Sequence, residues 1–268
     1  MRLIVASRKD EASLNIAEAL LRIYNFKRTD VLPIKDSYVQ KDTEVKLIFI
    51  DEKPVNAQNI DQIFKPEIVI FISRHSSKSG LPTLTVHTPG NFGEAKLGGK
   101  SRELSISPAN AMKTALQELF RWKTELNLNY EVSYECTHHG PTLAVPTMFV
   151  ELGSSKRQWR DREAAEAVAR AAMASATQNG KCRAVLGIGG PHYNMKFTKI
   201  AMNEDLAFGH IIPNYALPYI DKCMIKQCIV KTYEKVEMCV LDWKGIRGAF
   251  KNDLITNLTD IGLEIRKV

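Results

Sequence analysis

The sequence predicts an α/β fold in three layers, a mostly parallel or mixed central sheet flanked by helices. Three observations carry this. Short continuous apolar runs, at residues 3–6 and 68–72 among others, suit strands covered on both faces. Between them lie segments whose apolar residues recur at helical spacing. The chain has 268 residues, 44% of them hydrophobic and 25% charged, enough to bury one large core. Those proportions exclude a disordered, collagen-like or disulfide-scaffold protein.

Residues 3–6 form the first strand. Ser7 or Asp10 caps the helix that follows, with Leu14, Ala17, Leu20, Leu21 and Tyr24 on its apolar stripe. The second and third strands fall at 47–50 and 68–72. From Ser73 to Ser107 the chain is rich in Gly, Pro and Ser and holds one short strand at 84–87; a loop of that length is a functional signal. Ser107-Pro108 then opens a helix, Ser as cap and Pro in the first position, with Met112, Leu116, Leu119 and Phe120 aligned. Residues 130–137 alternate: Tyr130, Val132, Tyr134 and Cys136 face one way, Glu131, Ser133, Glu135 and Thr137 the other. A strand at 147–152, an alanine-rich helix over 156–177 closed near Gly180, and a strand at 183–188 come next. Shorter alternating elements end in a helix around 250–258 and a strand at 263–266. With no internal repeat, low-complexity tract or linker, residues 1–268 read as a single α/β domain.

Lys and Arg number 37 against 30 Asp and Glu, a net charge of +7 that leans toward an anionic partner such as nucleic acid or a phosphorylated ligand. The longest aliphatic or aromatic run, 68–72, is far short of the ~20 residues of a spanning helix. No signal-peptide core precedes Ser7-Arg8-Lys9-Asp10, so the expected location is the cytoplasm. The five cysteines are odd in number and lack C-x-x-C, which fits reduced thiols.

The six histidines carry the chemistry. His75, His87, His138, His139, His192 and His210 all fall at or just past expected strand ends, beside Ser, Gly or Pro, so several are expected to meet in a crevice at the carboxyl ends of the strands. In Glu135-Cys136-Thr137-His138-His139-Gly140-Pro141, continued alternation puts His139 with Glu135 and His138 with Cys136. Glu135 then orients His139 and fixes its tautomer. The two histidines converge only if the strand breaks at Gly140-Pro141. Gly187-Ile188-Gly189-Gly190-Pro191-His192-Tyr193 is a glycine-rich turn ahead of a helix, a candidate contact for phosphate or carboxylate. It does not match G-x-G-x-x-G. Residues 94–101 end in Gly99-Lys100-Ser101 but have Glu94 where a P-loop needs glycine. H-E-x-x-H and G-x-S-x-G are absent, although a metal held by histidines and carboxylates from separate strands stays open. Lys156, Arg157, Arg160 and Arg162 around Trp159, and Lys96, Lys100 and Arg102 in the long loop, are cations that RNA would attract.

Taken together, Ser73-Arg74-His75-Ser76-Ser77, His87-Thr88-Pro89-Gly90-Asn91, the segment 135–141, Phe149-Val150-Glu151-Leu152-Gly153-Ser154, the segment 189–193 with Lys196-Phe197-Thr198, and Gly209-His210-Ile211-Ile212-Pro213 resemble the archaeal and plant type of D-aminoacyl-tRNA deacylase, in the same order and over nearly the whole chain. The resemblance implies a core similar to peptidyl-tRNA hydrolase and phosphorylase-like hydrolases, hydrolysis of the ester joining a D-amino acid to tRNA as a proofreading of chirality, and zinc as cofactor. On that reading the partner is the acceptor end of an aminoacylated tRNA, with no membrane or DNA partner and a monomer or weak dimer as the state. His139 with Glu135, or a metal-held water on His138, His139 or His192, supplies the nucleophile. Gly189 and Gly190, or Asn91, stabilise the oxyanion. Arg74, Lys196 and the basic loop grip the terminal nucleotides, and His75, His87, Tyr193 and His210 complete the substrate wall. The alternatives are a metal-dependent hydrolase or phosphorylase of a small nucleoside or peptide, and a non-catalytic tRNA-binding protein.

Overall fold

The computed structural model describes residues 1–31, 34–177 and 180–268. Eight strands form the main sheet: β1 (Arg2–Ser7), β2 (Phe26–Val31), β3 (Ile34–Gln40), β4 (Lys46–Ile50), β5 (Ile68–Arg74), β6 (Thr83–His87), β7 (Glu131–Tyr134) and β8 (Thr147–Gly153). Their order is β2-β3-β4-β1-β5-β8-β6-β7. The sheet is mixed: β4, β1, β5 and β8 run parallel, β6 runs antiparallel to β8, and β7 runs parallel to β6. A second sheet, all parallel, joins β9 (Arg183–Ile188), β10 (Leu206–Ile212), β11 (Val236–Leu241) and β12 (Glu264–Lys267) in the order β10-β9-β11-β12. Hairpin β2–β3 was not expected. Its sequence is polar because it lies at the sheet edge, where apolar periodicity weakens.

Helices α1 (Glu11–Ile23), α3 (Ala109–Glu125) and α5 (Arg162–Thr177) cover one face of the main sheet, and the short α2 (Ile60–Phe64) lies on the other. Eleven residues of α5 are buried, eight of them alanine, which lets α5 lie close between α1 and α3. Asp10 is the cap of α1: its Oδ1 accepts Ser13 N–H at 3.0 Å, and its Oδ2 accepts Arg74 N–H at 3.0 Å, tying the turn after β1 to the end of β5. The buried stripe of α1 runs through Ala12, Ile16, Ala17 and Leu20, so Leu14 is 40% exposed rather than part of it. Ser107 does not cap α3. Its hydroxyl has no partner, and the carboxylate of Glu234 accepts the Ala109 and Asn110 N–H groups at 2.9 Å, a cap no local pattern reveals.

The expected helix over 156–177 is two: α4 (Lys156–Trp159) and α5, parted at Arg160-Asp161. Asp161 Oδ1 accepts the Glu163 and Ala164 N–H groups, while its Oδ2 accepts the Tyr130 hydroxyl at 2.8 Å. The second sheet carries α6 (Met195–Asn203), α7 (Lys222–Val230) and α8 (Gly248–Ile261). β7 stops at Tyr134, short of the expected 137. Beyond it the chain leaves the main sheet and is stitched to the second: Cys136 N–H donates to His192 O at 2.9 Å, Thr137 N–H to Ile211 O at 3.0 Å, and Asn194 N–H to Tyr134 O at 2.9 Å. That crossing positions the site. Among the described residues, no helix is long and apolar enough to cross a membrane.

Candidate active site

The parallel strands β1, β4, β5 and β8 end on the same side, and Lys9, Lys53 and His75 just past three of those ends line one cavity with His192 and Tyr193 of the turn after β9, the expected strand-end crevice. Because β6 and β7 run the opposite way, His87 joins the group from a face of the sheet. Ser73 of β5 is in register with Glu151 of β8, and Phe149 of β8 with His87 of β6, so strand alternation turns Ser73, His75, Phe149, Glu151 and His87 to one side. The crossing segment lays Glu135, Cys136, His138 and His139 over them, and the turn after β9 adds His192 and Tyr193. Two close approaches fix this. A Cβ on Gly153 would fall 2.6 Å from His75 Cβ, and one on Gly140 would fall 2.1 Å from Gly99 N.

The adjacent histidines converge because His139 has φ of +44°, a left-handed backbone conformation that costs a non-glycine residue on the order of 1–2 kcal/mol. Their ring centroids are 4.3 Å apart. His138 Nδ1 lies 2.8 Å from Cys136 O and His139 Nδ1 2.6 Å from Gly140 O. A carbonyl only accepts, so both Nδ1 atoms carry the proton and both Nε2 atoms present lone pairs. His139 Nε2 is 3.2 Å from His87 Nε2, whose ring stacks on Phe149. Glu135 does not orient His139. Its Oε2 accepts His192 Nε2–H at 2.8 Å and lies 3.6 Å from His138 Nε2, and its Oε1 is 3.1 Å from His75 Nδ1.

The histidines divide into two electrostatic classes. Burial, then the neighbouring rings, hold His87 and His138 well below the usual imidazole range, and burial takes His139 down to about 4. All three are neutral at pH 7. Burial also opposes charge on His75, but Glu135 and Glu151 on either side raise it to about 11. Burial opposes charge on His192 too, yet its hydrogen bonds to Cys136 and Glu135 raise it to about 10. Glu135, despite complete burial, is held well below the carboxylate range by His192 and His75. Glu151, which accepts the Ser73 hydroxyl at 2.6 Å, is raised by burial. The His75 Nε2–H donates to the Tyr193 hydroxyl at 2.5 Å, leaving the Tyr193 proton free to point into the cavity.

Two cavities meet at the histidine pair. The front one, of about 440 Å³, is lined by Glu151, His192, Tyr193 and Asp10, with Lys9, Lys53 and Arg74 on its wall. Arg74 stacks its guanidinium 5.1 Å above the Trp159 ring. The rear one, of about 470 Å³, lies on the Tyr215 side, and His138 and His139 line both.

Several expected residues stand elsewhere. His210 is inside β10, fully buried, with Nδ1 at 3.1 Å from Thr137 Oγ1 and Nε2 donating to Lys231 O at 3.0 Å; it faces no cavity and serves the crossing segment. The Asn91 amide donates to the Gly98 and Lys100 carbonyls, so it shapes the loop and offers no donor to an oxyanion. The Gly189 N–H donates to Ile212 O, Gly190 O accepts Asn214 N–H, and Lys196 is paired with Asp242. The loop cations Lys96, Lys100 and Arg102 pair with Glu94, Glu103 and Asp221. The structure adds Glu151, Ser73, Phe149 and Tyr215 to the site. Ser73, Phe149 and Glu151 lie within the motifs that carry the resemblance but had no role assigned to them, and Tyr215 lies outside those motifs.

Ligand geometry for a metal ion exists in three groups among the described residues: His87, His138 and His139; Cys136, His138 and His192; and His75, Glu135 and Glu151, each with ligand atoms within 4.8 Å of one another. The expected trio His138, His139 and His192 is not among them, because His192 is turned onto Glu135. The first group fits zinc. Its imidazoles are neutral, His138 and His139 present Nε2 lone pairs, and the Nε2 atoms of His87 and His139, 3.2 Å apart, match the ligand separation of a tetrahedral site once the proton between them is displaced. The third group is occupied by its own charges, an imidazolium between two carboxyl groups.

The family profile described as D-aminoacyl-tRNA deacylase matches residues 62–266. The D-aminoacyl-tRNA deacylase of Pyrococcus abyssi is 41% identical over 279 aligned positions, covering all of both chains. That of Thermococcus kodakarensis is 39% identical, covering 98% of each, and that of Methanosarcina mazei 33% identical, covering 98% of this chain and 91% of its own. The crystal structure of a conserved protein of unknown function, AF0625, superposes with a TM-score of 0.91 at 30% identity, covering all of this chain and 95% of that one.

Proposed function

The chain belongs to the D-aminoacyl-tRNA deacylase family, and from that membership we propose a reaction centred on His138 and His139. The reaction is hydrolysis of the ester of D-aminoacyl-tRNA, which releases the free D-amino acid and tRNA. The observation that carries the assignment of residues is the pair of Nε2 lone pairs, both fixed by backbone carbonyls and both at the junction of two cavities.

Water binds at Nε2 of His138 and His139, which at neutral pH accept its hydrogen and draw negative charge onto its oxygen. A zinc ion held by these two atoms and His87 would replace their hydrogen bonds to the water and supply Lewis acidity in their place. As the carbonyl carbon becomes tetrahedral, the Tyr193 hydroxyl donates to the oxyanion. The His75 imidazolium behind it strengthens that donation, because a hydroxyl accepting from a cation is the better donor. His192, protonated on the far side of the pair, is placed to give a proton to the ribose oxygen as the ester bond breaks. Glu135 reaches no cavity. It is a positioning residue, the buried anion that keeps His75 and His192 charged. Arg74, with Lys9 and Lys53, gives the wall of the front cavity a cationic charge that attracts the polyanionic tRNA.

The test is deacylation of D-tyrosyl-tRNA and L-tyrosyl-tRNA, each before and after chelation and zinc re-addition. The expected outcome is cleavage of the D ester alone, lost with the chelator and regained with zinc. Equal cleavage of both esters would remove the chirality, and activity indifferent to chelation would remove the metal.

A further inference from the structure

The scissile ester joins an aminoacyl group to a ribose, so a site that cuts it must seat one half on each side of the reacting carbon. The histidine pair has one cavity on each side, of similar size, and the two differ in chemistry. The front wall is charged, with Lys9, Asp10 and Arg74 beside a buried Glu151 whose oxygens are met by Ser73 and His75. The rear wall carries aromatic rings. Among them Tyr215 and Tyr219 are 57% and 56% exposed, whereas Phe92 is buried. Large rings left in solvent beside a reaction centre mark a surface that something covers.

The Tyr215 ring is held before any ligand arrives, and the backbone that carries Tyr219 is anchored. The Tyr215 hydroxyl lies 3.1 Å from Cys136 Sγ and 3.2 Å from His192 Nδ1, and its ring is parallel to the His192 ring within 18°. The Tyr219 ring lies against Gly93, where a side chain would touch it at 3.5 Å, and Arg102 holds the Tyr219 carbonyl at 2.9 Å. Both tyrosines sit four residues apart on one 3-10 segment, Asn214–Tyr219. Rings anchored in this way bind a nucleobase without reading its sequence, and little ordering is needed on binding. Lys96 stands at the same cavity, and its 3.8 Å contact with the exposed Glu94 is weak enough to yield to a phosphate.

We propose that the rear cavity seats the 3′-terminal base of the tRNA, stacked on Tyr219 and Tyr215, and that the front cavity takes the aminoacyl group; the proposal rests on deacylation being the reaction at the histidines. Tyr219 is the residue to change, since the Tyr215 hydroxyl also touches His192. Uncharged tRNA carrying 2-aminopurine at its 3′ end reports stacking as quenched fluorescence, independent of turnover. Quenching is expected with the wild type and with Tyr219→Trp, and its loss with Tyr219→Leu, which preserves bulk against Gly93 but cannot stack. Steady-state cleavage of D-tyrosyl-tRNA should show KM raised on the order of tenfold by Tyr219→Leu and kcat within about twofold. If Tyr219→Leu leaves quenching and KM unchanged in an enzyme that still cleaves D-tyrosyl-tRNA, the base binds elsewhere and the proposal is wrong. If that variant instead shifts the preference among D-amino acids on one tRNA, the rear cavity holds the side chain and the proposal is equally wrong. A wild type that quenches but cleaves no D-tyrosyl-tRNA overturns the deacylase reading while leaving the base seat standing.

Discussion

The histidine pair and the glycine corner after β9 both looked like ligand sites, and their hydrogen bonding separates them. At the corner, Gly189 N–H and O, Gly190 O, the Asn194 amide and the Lys196 ammonium all find partners inside the protein. The Asp242 carboxylate that pairs with Lys196 stands beside the corner, its Oδ2 3.4 Å from where a Cβ on Gly190 would lie. At the histidines, two imidazoles donate from Nδ1 to carbonyls and keep Nε2 as an acceptor, that of His139 facing His87 Nε2; His87 Nδ1 is buried without a partner, and His139 holds a strained backbone. Valence left unsatisfied at a preorganised place is what a reacting group can use. A glycine-rich turn before a helix is an anion site only when nothing of the protein's own occupies it.

The sharpest way to widen this contrast is to remove one side chain from the pair. Exchange of His139 for Ala should lower single-turnover deacylation of D-tyrosyl-tRNA by at least ~10²-fold, with the far-UV spectrum unchanged. Glu135→Gln should cost about as much, because His75 and His192 lose the anion that holds them charged. Here the fold weakens as well, by roughly 3–5 kcal/mol, since a buried ion pair is broken from one side. A rate within threefold of wild type in either variant would put the chemistry elsewhere.

A smaller effect separates the sixth histidine from the other five. His210 is fully buried and lowered to about 4 by burial, against about 6.5 in an unfolded chain. A depressed imidazole contributes stability that is present above the unfolded value and lost as pH falls toward the folded one. Between pH 7.5 and 5 its share of the loss is about 2 kcal/mol, and in His210→Gln the unfolding free energy from urea titration should fall by that much less over that interval, with kcat unchanged. The same slope in wild type and variant would show that His210 titrates normally.

The core strands were legible because continuous apolar runs at residues 3–6, 47–50 and 68–72 have no other use. Hairpin β2–β3 was hidden by its edge position, and the α3 cap by coming from Glu234. The site was half legible. The histidines were visible as a set, but which ones meet depends on β6 running against β8 and on the chain leaving the main sheet after Tyr134, and both are decided by long-range pairing. Alternation assigned Glu135 to His139. The left-handed turn at His139 undid that, and no pattern of residue types announces such a turn at a histidine.

The smallest expected effect tests the closed corner. Lys196 lies at the start of α6, where a phosphate grip had been expected, and it is paired with Asp242 at about two-fifths exposure. A half-exposed pair of this kind contributes roughly 0–1 kcal/mol. Lys196→Ala should therefore lower the unfolding free energy by no more than about 1 kcal/mol and leave kcat/KM for D-tyrosyl-tRNA within about twofold at moderate salt. Arg74→Ala, which removes a cation from the front cavity, should raise KM severalfold more, and the gap should shrink as salt rises because the attraction of that charge for tRNA is screened. If Lys196→Ala instead raises KM tenfold with a matching loss of salt dependence, Asp242 gives way to the tRNA backbone. The corner then belongs to the substrate surface, and hydrogen-bond satisfaction in the free protein is no guide to which glycine turns bind phosphate.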